Sequence, residues 1–305
     1  MFVRTVLGDR EPGVLGPTYC HEHLLTHPAE RFGEDLVLDD GDKAAAELAE
    51  FRELGGGGLV EVTTRELGRK PEGLRRLAER TGVHVVATTG HVSEEYWRGV
   101  LDLEAVSEAA LVEEMVRELT EGIDGTAVRA GVIKAGSSLD EVTDVEYKVI
   151  RAAAAAQRIT GAPITTHTTA GTAAMQQIRA LEKAGADLRH VCIGHLDRRL
   201  VWEEHLQFAR TGVFLGYDQI SKEKYQPEFE RIRFIMRLVQ EGLGDRVCLS
   251  GDLARRSYLR AWGGTPGYRY ILGEFLPRLI RAGLDEGEVR RLTVDNPVRL
   301  LTWAA

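Results

Sequence analysis

Short apolar segments rich in β-branched residues recur along this chain, and amphipathic segments separate them. The intervening stretches, among them 43–54, 103–122 and 146–161, carry apolar residues at helical spacing. Strands that alternate regularly with helices predict a parallel α/β fold. The 305 residues show no internal boundary, so the pattern favours one (β/α)₈ TIM barrel over 1–305, with an open doubly wound sheet as the alternative. The eight strand-like segments are 14–20, 59–63, 83–88, 128–134, 163–167, 190–195, 212–217 and 246–251.

Ionisable side chains stand at or just beyond the ends of several of these segments. In a barrel the carboxyl ends of all the strands meet at one mouth, where active sites are built. Neutral imidazole nitrogens and a carboxylate that converge on one point suit Zn²⁺. The sequence therefore predicts a metal centre at this mouth, formed by His21 and His23 after the first segment, Lys134 in the fourth, His167 in the fifth, His195 in the sixth and Asp252 after the eighth.

Strand alternation makes a finer prediction for the first of these segments. His21 and His23 are two residues apart, so their side chains are expected on the same side of the strand. Cys20 and Glu22 are then expected on the opposite side.

Lys134 differs chemically from the other predicted ligands because an ammonium group has no lone pair. Its segment, VRAGVIKAG, is largely apolar, so burial is expected to lower the lysine pKa and expose the neutral amine. A neutral amine can add carbon dioxide and become a carbamate that bridges two metal ions. The alternative is an ammonium that pairs with Asp252 beside a single metal ion, and the residues alone leave both open.

Charge and composition exclude several classes of protein. A net charge of −8 argues against a general nucleic-acid binder. The amino terminus has charges where a signal peptide needs an apolar stretch, and no apolar run reaches the roughly 18 residues of a membrane span. Cys20, Cys192 and Cys248 cannot all pair within the chain and lie in apolar segments, so we expect buried free thiols in a reducing cytoplasm.

Five motifs in a fixed order, GPTYCHEHLL, VIKAG, PITTHTTAGT, CIGHLDR and LSGD, give the chain a resemblance to the phosphotriesterase family of the amidohydrolase superfamily. The resemblance implies a barrel with a binuclear metal centre, with Zn²⁺ expected and Mn²⁺ or Co²⁺ as alternatives. It assigns His21, His23 and Asp252 to the more buried metal, His167 and His195 to the exposed metal, and Lys134 to a carbamylated bridge. It also allows a homodimer, since relatives are often dimers.

Two late loops resemble those of the members that hydrolyse phosphorylated sugar lactones. The loops read GYDQISKEKYQPE after the seventh segment and DLARRSYLRAWGGTPGY after the eighth. Phosphate sites in barrels often form from these two loops. We therefore expect substrate binding by Lys222, Lys224, Tyr225, Arg255 and Arg256, of which only one of the two neighbouring arginines is expected to point inward.

The expected reaction is the opening of a small lactone, such as a phosphorylated furanose sugar lactone. A hydroxide between two metal ions attacks the carbonyl, and Asp252 accepts the proton and passes it to the leaving alkoxide. Gln219 stands where the triesterases carry histidine, which puts their proton relay in doubt. The alternatives are hydrolysis of acyl-homoserine lactones, neutral esters or organophosphates, and a barrel that binds a ligand without turnover.

Overall fold

The computed structural model describes residues 1–303, so the last two residues of the predicted 1–305 domain lie outside the described residues. Eight strands form one parallel sheet, and their order in the sheet is their order in the chain. The strands are β1 (Val3–Thr5), β2 (Gly8–Arg10), β3 (Thr18–Glu22), β4 (Gly58–Glu61), β5 (His84–Gly90), β6 (Val132–Ser137), β7 (Ile164–Thr168), β8 (Val191–Ile193), β9 (Phe214–Tyr217) and β10 (Val247–Leu249), of which β3 to β10 form the sheet.

The sheet closes where the chain after β10 meets β3, a contact that we call the seam. The His21 backbone N–H donates to Ser250 Oγ at 3.1 Å, and Ser250 Oγ donates to His21 O at 2.8 Å. The Glu22 carboxylate accepts bonds from the backbone N–H groups of Gly251 at 2.6 Å and Leu253 at 2.8 Å. This closure confirms the predicted (β/α)₈ barrel and rejects the open sheet.

Helices cover the outside of the barrel and begin at recognisable caps. Thr143 and Glu146 form a capping box at the start of α5 (Asp144–Thr160). The Ser107 side chain accepts a bond from the backbone N–H of Ala110 at the start of α4 (Glu108–Thr120). The predicted segment 103–122 therefore becomes helical only from Glu108. The helices are α1 (Gly41–Glu53), α2 (Pro71–Thr81), α3 (Glu94–Trp97), α4 (Glu108–Thr120), α5 (Asp144–Thr160), α6 (Ala174–Lys183), α7 (Trp202–Arg210), α8 (Glu228–Gln240), α9 (Leu276–Arg281), α10 (Glu286–Arg290) and α11 (Asn296–Leu301).

The hairpin of β1 and β2 lies at the amino ends of the barrel strands, and the pattern of apolar segments did not predict it. The Val6 backbone N–H donates to Val85 O at 2.8 Å, near the start of β5. The Arg4 guanidinium lies 4.1 Å from the ring centroid of Trp303, whose indole N–H donates to Gly131 O at 3.0 Å. The hairpin thus covers the end of the barrel opposite the predicted site.

The barrel interior is a separate apolar core that includes all three cysteines, which are buried and free as predicted. Cys20 was expected to face away from the side of His21, and this prediction is wrong. The pairing register of β3 shifts between Tyr19 and Glu22, and such an irregularity breaks strict alternation, so Cys20 joins the interior. The interior side chains include Val60, Val86, Val132, Cys192, Phe214 and Cys248.

Across residues 1–303, no helix combines the length and the apolar character that crossing a bilayer requires.

Candidate metal centre

The six predicted ligands lie together at the carboxyl ends of the strands, on the wall of one cavity. The connecting contacts are short. Lys134 Nζ lies 3.1 Å from His21 Nε2, and His195 Nε2 lies 2.8 Å from His167 Nδ1. Asp252 Oδ1 lies 3.4 Å from His23 Nε2 and 3.9 Å from His21 Nε2. The cavity floor is therefore a ring of nitrogen and oxygen donors.

These donors fit divalent metal ions in number and in chemistry. One atom from each of His21, His23 and Asp252 lies within 4.8 Å of the other two, which is close enough for one ion to contact all three. Burial lowers the pKa of His21, His23 and His167. These three imidazoles are therefore neutral near pH 7, as ligation requires.

Lys134 lies in the middle of this ring, on β6, and only 1% of its surface is exposed. Burial lowers the pKa of its ammonium to about 8, although Asp218 and Asp252 act in the opposite direction. At neutral pH an accessible fraction of the side chain is therefore the nucleophilic neutral amine.

The second ring nitrogen of His23, of His167 and of His195 contacts a neighbouring side chain. His23 Nδ1 lies 2.8 Å from Thr63 Oγ1, which in turn contacts the buried Glu61 carboxyl. His167 Nε2 lies 3.2 Å from Thr169 Oγ1. Such contacts fix the rotation of each ring and select the nitrogen that faces the site.

Asp218 was not among the predicted site residues, although it contacts two of them. Its Oδ1 lies 2.6 Å from His195 Nδ1, its carboxylate accepts the His195 backbone N–H at 2.9 Å, and its Oδ2 lies 3.3 Å from His21 Nδ1. A carboxylate behind two imidazoles raises their basicity and holds their Nε2 atoms toward the cavity. The sequence signal was available, since Asp218 directly follows β9 and the predicted ligands also lie near the carboxyl ends of their strands.

The two oxygens of Asp252 have different surroundings. Oδ1 faces the histidines, whereas Oδ2 accepts bonds from Gln219 Nε2 at 2.7 Å and from Lys222 Nζ at 2.9 Å. Lys222 Nζ also donates to Asp252 O at 2.6 Å and to Gln219 Oε1 at 3.0 Å. Burial alone would raise the pKa of Asp252. The Lys222 ammonium and the nearby histidines outweigh this effect and hold the pKa well below its usual range.

The other predicted substrate-binding residues divide into two groups. Tyr225 and Arg255 line the cavity. Lys224 lies further out, with its Nζ 2.7 Å from Tyr258 Oη, and Arg256 turns aside to donate to Val37 O at 2.7 Å. Of the two neighbouring arginines, Arg255 is therefore the one that faces the cavity.

Arg198 lines the same cavity, although its place in the sequence predicted no binding role. Its guanidinium lies 4.0 Å from the ring centroid of Tyr225. Among residues 1–303, no carboxylate forms an ion pair with it within 4.0 Å, whereas Arg255 has Asp35 at 3.6 Å. The cavity wall therefore carries the cationic groups of Arg198 and Arg255, while Val92, Leu67 and Leu36 supply its apolar part.

The sequence model of the phosphotriesterase family matches residues 1–301. The chain belongs to the phosphotriesterase family. This membership, which the motifs predicted, makes it a metal-dependent hydrolase acting on lactone or ester bonds.

Three relatives each match more than nine-tenths of the chain. A lactonase from Listeria monocytogenes is 37% identical, with a TM-score of 0.97 and full coverage of both chains. The phosphotriesterase homology protein of Escherichia coli is 35% identical over 284 residues, which are 92% of this chain and 96% of the relative. The structure of that protein, with phosphate in its active site, gives a TM-score of 0.91, 34% identity and coverage of 95% and 99% of the two chains. The N-acetyltaurine hydrolase of Bos taurus is 33% identical over 344 residues, 99% of this chain and 98% of the relative.

Proposed function

We propose that this protein opens a lactone ring that carries an anionic group, such as a phosphorylated furanose sugar lactone. One observation carries the proposal: the donor ring and the two cavity-facing arginines, Arg198 and Arg255, line the same cavity. A substrate that spans this cavity places an acyl carbon at the donors and a negative charge at the guanidinium groups. The lactonase identity of the Listeria relative and the phosphate in the Escherichia coli relative are consistent with this arrangement.

Two divalent metal ions, Zn²⁺ or alternatively Mn²⁺ or Co²⁺, would occupy the donor ring. His21, His23 and Asp252 would hold one ion, His167 and His195 the other, and a carbamate on Lys134 would join them. When bound, such ions lower the pKa of water to near neutrality and polarise a carbonyl oxygen.

Asp252 is the residue we assign to proton transfer. The Oδ2 atom is held by Gln219 and Lys222, so the carboxylate has a fixed orientation toward the cavity. It accepts the proton of the attacking water and returns a proton to the alkoxide that leaves as the ring opens. The low pKa of Asp252 keeps this carboxylate ionised at neutral pH and able to accept.

The cationic side of the cavity sets the substrate class. Arg198 has a planar donor array stacked on Tyr225, and such arrays bind phosphate through paired hydrogen bonds. A neutral dialkyl aryl phosphotriester offers no charge for these groups, and neither does an acyl-homoserine lactone. An anionic lactone is therefore favoured over both.

Substrate comparison tests the proposal. Arg198→Met and Arg255→Met should each lower kcat/KM for a phosphorylated sugar lactone by about 10- to 150-fold, the effect of losing a charge-assisted hydrogen bond. The same variants should leave kcat/KM for the unphosphorylated lactone nearly unchanged. Arg256→Met is the matched control, because it removes the same charge from the same loop but from a side chain directed to Val37 O.

If neither arginine variant shows a selective loss on the phosphorylated lactone, the anion site is elsewhere and a neutral lactone becomes the better substrate.

Acid release during ring opening separates turnover from binding alone. If a lactone binds saturably without acid release, the barrel binds a ligand without turnover.

A second candidate is hydrolysis of the amide bond of an N-acyl aminosulfonate. The observation in its favour is the 33% identity to N-acetyltaurine hydrolase over 99% of the chain, together with cavity arginines that would bind a sulfonate. N-acetyltaurine belongs in the substrate panel for this reason. A kcat/KM for it above that for every lactone tested would replace the lactone proposal with an amidase.

A further inference from the structure

An ion pair with no exposed surface lies beside the donor ring, behind the loop that follows β9. Arg231 Nε on α8 donates to Asp197 Oδ2 at 2.8 Å, and both side chains are 0% exposed. Asp197 is two residues beyond His195, and Arg231 comes from a helix on the outside of the barrel. The pair therefore joins two separate elements around the loop.

Both partners hold the backbone of that loop. The other guanidinium nitrogens of Arg231 donate to Gln226 O at 2.6 Å and to Lys222 O at 3.2 Å. The Asp197 carboxylate accepts the backbone N–H of Gln219 at 3.1 Å. The loop from 219 to 226 is thus fixed near its start, its middle and its end.

The same loop supplies the two side chains that hold Asp252. Gln219 and Lys222 both donate to Asp252 Oδ2, which leaves Oδ1 facing His21 and His23. Any shift of the loop backbone is passed directly to this carboxylate. Asp197 is linked to Asp252 through Gln219 and, by way of Arg231, through the backbone of Lys222. Neither an amide nor a guanidinium with the adjoining backbone passes a proton between two carboxylates.

We propose that Asp197 and Arg231 are positioning residues that orient Asp252 through the loop, and that Asp197 does not take part in proton transfer. The assignment rests on the proposed function for its kinetic consequences, because it concerns the carboxylate that we assign to proton transfer. Its structural consequence, an ordered loop at 219–226, does not depend on the substrate.

Double-mutant analysis distinguishes this role from simple structural support. Removing one partner of a buried ion pair leaves an uncompensated charge, whereas replacing both with apolar groups is often neutral for stability. We expect Arg231→Met and Asp197→Leu each to lower Tm, because each leaves a buried charge without its partner. Each should also lower kcat at least tenfold, with a smaller change in KM, because each removes about one charge-assisted hydrogen bond that holds the loop. The double variant should recover Tm but not kcat, because its loop remains unanchored. Arg231→Lys keeps the charge and should recover part of the kcat.

A second buried ion pair provides the matched control. Arg69 and Glu118 are 4% and 1% exposed, and neither residue lines the cavity. Arg69→Met should lower Tm and leave kcat unchanged. Kinetics use the fully loaded enzyme, so that a change in metal content does not enter kcat.

Hydrogen–deuterium exchange of the metal-free protein tests the loop without any substrate. Peptides that cover 219–226 should exchange faster in the double variant than in the parent protein or in Arg69→Met. The proposal is overturned if exchange in the loop is unchanged, or if the double variant recovers kcat together with Tm. It is also overturned if Asp197→Asn lowers kcat while Arg231→Met does not, because Asp197 would then act directly. Failure of the lactone assignment would leave the exchange result intact, so the two failures are distinguishable.

Discussion

Replacing Lys134 with methionine should make the metal-free protein more stable near pH 7, although the same change removes the bridging ligand. Methionine is similar in length to the lysine stem and has no charge to bury. The lysine pKa falls from its usual 10.5 to about 8 in the folded chain because the side chain is buried. At about 1.4 kcal/mol for each pH unit, burying the ammonium destabilises the fold by about 3 kcal/mol. The methionine variant also loses the contact to His21 Nε2, which lowers its stability by about 1 kcal/mol. The expected net gain in the free energy of unfolding is therefore about 2 kcal/mol.

The pH dependence of this gain has a definite sign. Below pH 8 the lysine is protonated in both folded and unfolded protein, so the full penalty applies. Between pH 8 and 10.5 the unfolded chain keeps the proton that the folded chain has lost, so the stability of the parent protein rises. The advantage of the methionine variant should therefore be constant from pH 6.5 to 7.5 and disappear by about pH 10.

Urea unfolding of chelator-treated protein in buffers depleted of carbon dioxide measures this difference. Lys183→Met, at an exposed position in the last turn of α6, should show no such pH dependence. A stability difference between the Lys134→Met and parent proteins that stays flat from pH 7 to 10 would refute the argument, because the lysine would then titrate alike in folded and unfolded chains.

Three further predictions concern the loaded enzyme. Elemental analysis of active protein should give two divalent ions per chain, and Lys134→Ala should lose most of both metal and activity, with partial rescue by short carboxylates and bicarbonate; one ion or none in active protein would refute a binuclear centre. Asp252→Asn should keep the fold and lose most turnover, because an amide is a weaker ligand and does not hold the proton; retained metal with near-parent turnover would contradict the role of Asp252. Asp218→Asn should weaken metal affinity by about 10- to 100-fold through His195 and His21, as measured by chelator competition, whereas the surface change Asp187→Asn should not.

The architecture and the donor ring could be predicted because each depends on a local pattern. Every barrel strand is an apolar segment, and each expected ligand ends one of these segments or lies just beyond it. Parallel topology then gathers those ends at one mouth without any knowledge of individual contacts. His21 and Asp252 are far apart in sequence, yet this rule alone predicts that they meet.

The residues that were missed depend on contacts between separate loops. Arg198 becomes a cavity residue because its guanidinium stacks on Tyr225, from a different loop. Arg256 leaves the cavity because its side chain finds a carbonyl at Val37, more than two hundred residues earlier in the chain. Nothing in the dipeptide Arg255–Arg256 says which member turns inward. The side chain of Cys20 was misplaced for a related reason, since the register shift in β3 depends on pairing with β4.

The seam between β3 and the end of β10 both closes the barrel and brings Asp252 to His21 and His23. His21 is among the first parts of the barrel to leave the ribosome, whereas Asp252, its partner in the same donor set, is among the last. Until Ser250 and Gly251 have been synthesised, β3 has an unpaired edge and the set lacks its carboxylate. A nascent or truncated chain that ends before this point therefore lacks both a closed barrel and the carboxylate of the donor set. A metal centre that uses His21, His23 and Asp252 would therefore be complete only in a chain that includes the seam.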